Sequence, residues 1–207
     1  MRNFVHALCV LFASLLLAAC GLAQAADPPK YRVGERLKQA SPAPKAARAY
    51  QEIGWNALIP TGWDPAAPFR NFDFSRLNDA DPRADSALEQ LRKAWDEAPV
   101  EPGWNGQRIR IPGFVVPLER KGERVTEFLL VPYFGACIHV PPPPANQIID
   151  VFADKPAANL RSMDAVWVVG VLETRRSEPK IGADHRMGMG TAGYRMKAEH
   201  IEPYKER

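Results

Sequence analysis

The sequence predicts a mainly β fold of the α+β kind: a small OB-like barrel of about five strands with an N-terminal helical extension. Three observations predict it. Beyond residue 100 the chain turns to short alternating or wholly apolar runs, separated by turn signals such as Asn105-Gly106 and Lys121-Gly122. Glycines at 113, 135 and 170 fall in or beside those runs, where glycine marks bulges and barrel corners. Ahead of them lies one clear amphipathic helix, whose apolar stripe needs a sheet or barrel to cover it.

The elements follow in order. Residues 1–19 read as a signal peptide: Arg2, then an apolar core from Phe4 to Ala19 that is shorter than the roughly 20 residues of a membrane span. Leu17-Ala18-Ala19-Cys20 resembles a bacterial lipobox, which makes Cys20 the lipidation site and the protein a membrane-anchored periplasmic lipoprotein. Ala23-Gln24-Ala25 offers the alternative, cleavage after Ala25 to leave a soluble periplasmic protein. Residues 20–45 read as anchor and flexible linker, bracketed by Asp27-Pro28-Pro29 and Ser41-Pro42-Ala43-Pro44.

Residues 46–204 form the predicted single globular domain, with 46–100 as helical extension and 101–204 as barrel. A weak helix is expected over 46–53, leading to Trp55, with Trp55 and Trp63 packed on the core. The clearer helix starts at Asp81 as N-cap and Pro82 at the first helical position. Ala84, Leu88, Leu91 and Trp95 recur along it at helical spacing, and Pro99 ends it. Strands are expected over 108–118, 125–131, 147–152, 165–172 and 192–198.

Charge and cysteine content exclude several classes. The chain carries 27 Lys+Arg against 24 Asp+Glu, a net +3 without a long basic run, so no nucleic-acid partner is expected. Of its 3 cysteines, Cys9 is in the leader and Cys20 is lipidated or removed, so Cys137 stands alone and no internal disulfide holds the mature fold. Gly-x-Ser-x-Gly, Cys-x-x-Cys and His-Glu-x-x-His do not occur, so lipase, thioredoxin and zincin chemistry lack their parts.

The most pointed motif is Cys137-Ile138-His139-Val140 followed by Pro141, Pro142, Pro143 and Pro144. If residues 137–139 are extended, the thiol and the imidazole leave one face with Cα atoms roughly 6.5–7 Å apart. Such a pair is half of a zinc site, or a polarised thiol fit for a periplasmic thiol enzyme or redox sensor, or simply a buried thiol beside a turn histidine. Further metal ligands would come from His185, Met187, Met189 and His200, with Asp150 and Glu199 also available. The four prolines serve as a rigid strut or as a partner-docking edge, and a metal-free interaction module is the third reading.

Trp55-Asn56-Ala57-Leu58-Ile59-Pro60 opens a wider resemblance. It continues in Ile111-Pro112-Gly113-Phe114-Val115-Val116-Pro117-Leu118-Glu119, in Glu127-Phe128-Leu129-Leu130-Val131-Pro132-Tyr133, in residues 135–147 and in Gly190-Thr191-Ala192-Gly193-Tyr194. Together these resemble the DUF3299 family of exported bacterial proteins, over roughly residues 47–204. Family members are often encoded beside an ABC transporter, in some bacteria in a zinc-responsive neighbourhood. The resemblance implies an accessory role in zinc or related metal homeostasis, with ABC transporter components as partners, and carries over no catalytic residues.

Overall fold

The computed structural model describes residues 31–38, 50–67, 70, 82–137, 142–181, 187–188 and 190–205. Cys20, His139, Pro141, His185 and Met189 lie outside these residues, as do 46–49 and Asp81. Among the described residues no helix is long and apolar enough to cross a membrane.

The strands are β1 (Gln51–Glu52), β2 (Gln107–Lys121), β3 (Arg124–Val131), β4 (Ile149–Ala157), β5 (Ala165–Glu173), β6 (Lys180–Ile181), β7 (Met187–Gly188) and β8 (Tyr194–Pro203). Five of them close a mixed barrel in the order β2-β3-β4-β8-β5, with β5 returning to β2. Only β4 and β8 run parallel in that ring; the other pairs are antiparallel. The five predicted strands are these five, and the OB-like barrel is the observed fold.

Closure depends on β2 changing partners along its length. Residues 107–114 pair with β5, and from Phe114 onward the strand pairs with β3. Gly113 sits at the changeover: a Cβ there would stand 2.7 Å from Cγ of Leu130, so only glycine lets β3 approach this closely. Gly170 does the same at the bulge between β5 and β8, where a Cβ would meet the Lys197 carbonyl oxygen at 2.3 Å.

Strand alternation fills two cores. Ile109, Ile111, Val115, Phe128, Leu130, Ile149, Val151, Val168 and Tyr194 point into the barrel. Phe114, Val116, Leu129, Val131 and Ile148 form a second cluster on the opposite strand faces, joined by Ala136 and Ala192. Each fully buried Leu, Ile or Phe stabilises the fold by about 1.5–3 kcal/mol.

Three findings differ from the sequence reading. Gln51 and Glu52 are strand, not helix: they pair in parallel with Ile109 and Arg110. The cause is Arg110, which donates to Glu52 Oε2 at 2.8 Å and to Glu202 Oε1 at 2.6 Å with its guanidinium 3.8 Å from the Trp167 ring centroid. Second, residues 31–38 of the expected linker lie on the barrel. Tyr31 packs edge-on to Phe114 at 5.2 Å, the Gly34 amide donates to the Phe134 carbonyl at 2.8 Å, and the Phe134 amide donates back to the Glu35 carbonyl at 2.9 Å. Third, Trp63 is only half-buried, whereas Trp55 is in the core and donates Nε1–H to the Pro112 carbonyl at 2.6 Å.

The helical extension is fastened at the barrel mouth. A 3-10 turn, Trp55–Leu58, meets another, Ala145–Gln147, where Gln147 Nε2 donates to the Trp55 carbonyl at 3.0 Å. Tyr194, wholly buried, donates its hydroxyl proton to the Leu58 carbonyl at 2.8 Å and accepts from the Glu101 amide at 2.6 Å. The predicted helix, α1, runs Pro82–Asp96.

Candidate functional site

Cys137 sits just past β3, in the loop that ends with the prolines. Its φ is +63°, in the left-handed region, so the extended geometry that would set Cys137 and His139 on one face does not hold at Cys137. The side chain packs on the second core, beside Tyr133 and Phe134. Burial pushes the thiol up to about 12, so at neutral pH it is protonated. That is the opposite of the depressed value a nucleophilic or redox thiol needs.

Of the other predicted ligands, His200 and Met187 are among the described residues. His200 stands exposed on β8 with Nε2 3.7 Å from Glu202. Met187 belongs to the short β6–β7 pair. Among the described residues no group of three His, Cys, Asp or Glu converges as a metal set, so a complete zinc site is not formed within them.

The prolines act as a wall. Pro144 opens the Ala145–Gln147 turn and accepts from the Gln147 amide at 2.7 Å. Pro142 abuts Gly190, where a Cβ would lie 2.8 Å from the proline Cβ. Across from this wall runs α1. Its apolar stripe was expected to be sealed against a sheet; instead Leu91 and Trp95 are half-buried and Leu88 is 38% exposed. Between stripe and prolines lies an open cleft of about 550 Å³, lined by Leu88, Leu91, Trp95, Pro142, Pro143 and Pro179, with Arg92, Asp96, Glu178, Gly190 and Thr191.

A second hollow of about 590 Å³ adjoins it through Asp96, Glu178 and Thr191 and adds Glu97, Arg176 and Ser177. Three carboxylates, Asp96, Glu97 and Glu178, surround this part. Arg176 is turned to the backbone, donating to the carbonyls of Ala98 and Asp96, and so ties the end of α1 to the segment after β5. Thr191 N–H donates to Asp96 Oδ1 at 3.2 Å from the other side.

Behind the acidic part runs a polar row of which the sequence singled out only Asp150, as a spare metal ligand. Asp150 on β4 is 2% exposed, and its Oδ2 accepts from Ser177 Oγ at 2.8 Å and lies 3.6 Å from Arg195. Arg195 on β8 covers the Phe152 ring at 4.3 Å. Glu127 on β3 faces Asp150; burial, then the charges of Asp150 and Glu119, raise its carboxyl to about 7. The one available signal was a carboxylate inside each of two apolar strands, Glu127-Phe128-Leu129-Leu130 and Ile148-Ile149-Asp150-Val151.

Fold and site define a class: an OB-like barrel with a helix-flanked cleft beside its strands. The chain belongs to the DUF3299 family, "protein of unknown function", whose pattern matches residues 55–203. It is similar to a crystal structure of a DUF3299 family protein from Pseudomonas aeruginosa PAO1, at 35% identity and a TM-score of 0.57, over 77% of this chain and 99% of that one. An OBody bound to hen egg-white lysozyme is a more distant likeness, at 12% identity and a TM-score of 0.28 over 51% of this chain and 89% of that one. No curated protein matches the chain.

Proposed function

We propose that this DUF3299 protein is a binding module, not an enzyme: an exported, membrane-tethered accessory protein that docks a partner polypeptide in the cleft between α1 and the proline wall. The observation that carries it is the composition of that cleft. One part is built from Leu88, Leu91, Trp95, Pro142, Pro143 and Pro179, and around the adjoining part the carboxylates Asp96, Glu97 and Glu178 outnumber Arg92 and Arg176. Folded domains rarely leave a tryptophan, two leucines and three prolines around one opening without a ligand to cover them. The matching occupant is a segment with apolar side chains beside basic ones. The apolar groups leave water on the stripe, and lysine or arginine meets the three carboxylates.

The family resemblance supports the setting. A component of an ABC transporter is the candidate source of that segment, and zinc homeostasis enters through the transporter that the module assists. The neutral, partly buried Cys137 thiol supports a structural rather than a reactive role for that residue.

The test uses a labelled peptide of about ten residues alternating lysine and leucine, with a glutamate–leucine peptide as control. The lysine peptide binds the full chain and the control does not. Leu88→Asp weakens the lysine peptide by about tenfold or more while leaving the unfolding midpoint in place, because Leu88 is already exposed. Equal binding by wild type and Leu88→Asp contradicts the docking site.

A further inference from the structure

We propose that a proton on Glu127, facing Asp150, sets the wall of the cleft through Asp150 and Ser177, so that occupancy of the cleft depends on pH. The inference rests on the docking reading and adds its regulation.

The geometry carries it. Asp150 Oδ2 has two neighbours, Ser177 Oγ at 2.8 Å and Arg195 at 3.6 Å. Asp150 Oδ1 is buried and has no hydrogen-bond donor as long as Glu127 is ionised. A proton on Glu127 supplies that donor, since its carboxyl is placed to hydrogen-bond Asp150. The groups around Glu127 come from three strands: Glu119 on β2, Asp150 on β4 and Arg195 on β8. Phe152 pairs with Glu127 in register, and Lys197 next along β8 is engaged with Asp154 at 3.1 Å. Three carboxylates thus face one guanidinium. When all three are ionised, the buried Asp150 carries its charge beside two further carboxylates with one arginine to offset them.

Ser177 transmits the imbalance. Its amide donates to the Ala192 carbonyl at 3.0 Å, and the Ala192 amide returns a bond at 2.9 Å. Glu178 and Pro179 on one side of this bridge, and Gly190 and Thr191 on the other, line the cleft. With the proton in place, Asp150 is satisfied on both oxygens and holds Ser177. Without it, Asp150 relaxes toward Arg195, the Ser177 bond weakens and the wall loosens. The titration falls in the physiological range, with Glu127 at about 7.

The experiment follows the full wild-type chain by NMR from about pH 5.5 to about pH 8.5, reading the Glu127 carboxyl carbon and the Ser177 and Ala192 amides. The expected result is one shared midpoint, which Glu127→Gln removes from both amides. Ser177→Ala leaves the Glu127 midpoint and flattens the Ala192 response. Amides that do not follow Glu127, or that keep their midpoint in Glu127→Gln, overturn the coupling. In binding, the lysine–leucine peptide is held about fivefold more tightly at about pH 6 than at about pH 8, and equally at both in Glu127→Gln. Because the amide titration is read without ligand, it stands if no peptide binds, and then docking alone has failed. Peptide binding that is the same at both pH values in wild type overturns the switch and leaves docking intact.

Discussion

Residues far apart in the chain carry the chemistry here, and each takes its property from what surrounds it. Cys137 is the plainest case. The motif Cys137-Ile138-His139 invites a reactive or metal-bound thiol, yet the left-handed backbone and the aromatic neighbours make Cys137 a protonated, packed group. With the thiol at about 12, alkylation of Cys137 in the folded chain at neutral pH is expected to be on the order of a thousandfold slower than that of a free cysteine, and to become fast on unfolding. Labelling with iodoacetamide, with and without urea, checks this. Nothing in the sequence could show the left-handed turn, because the residue types that favour it are glycine and asparagine, not cysteine. The row of Glu127, Asp150, Ser177 and Arg195 was equally hidden. Its members are brought together by the antiparallel β3–β4 and parallel β4–β8 registers, which local pattern does not specify.

At the scale of elements, legibility follows the source of the stabilisation. The five barrel strands announce themselves because their own alternation buries them, and α1 because its stripe is local. The strand β1 is not legible. Its two residues are extended only because Arg110, 58 positions away, draws Glu52 against β2. Arg110 and Glu52 are both nearly buried, at 8% and 9% side-chain exposure, so removing one charge strands the other. Arg110→Ala is therefore expected to cost about 3 kcal/mol, read as a lower urea midpoint, and to free the amides of β1 to exchange while those of β3 and β4 stay protected. The outward stripe of α1 was the other misreading: a stripe at helical spacing marks a face that must be covered but does not say by what. Here part of it stays open to the cleft.

The described residues from Tyr31 onward form a closed barrel whose ring of strands is complete, with a strap, a helix and prolines laid against it. Its pH response should bear the mark of Glu127. The folded chain holds that proton more tightly than the unfolded chain, whose carboxyl has its ordinary value of 4.5. The protonated form is thus favoured by folding, and this contribution is fully present below about 4.5 and lost as pH rises to about 7. Urea midpoints are expected to fall across that window more steeply in wild type than in Glu127→Gln, and to run parallel above it. Identical slopes would mean that Glu127 is not held above its ordinary value.

The central claim is that the cleft between α1 and the proline wall takes a basic, apolar polypeptide segment. The most direct measurement is a map of backbone amide shifts in the full chain as the lysine–leucine peptide is added. The account predicts that the perturbed amides cluster at Leu88, Leu91, Trp95, Glu178, Gly190 and Thr191, around the cleft. Perturbations confined to the β2–β3 face under the strap, or scattered without a focus, would contradict it.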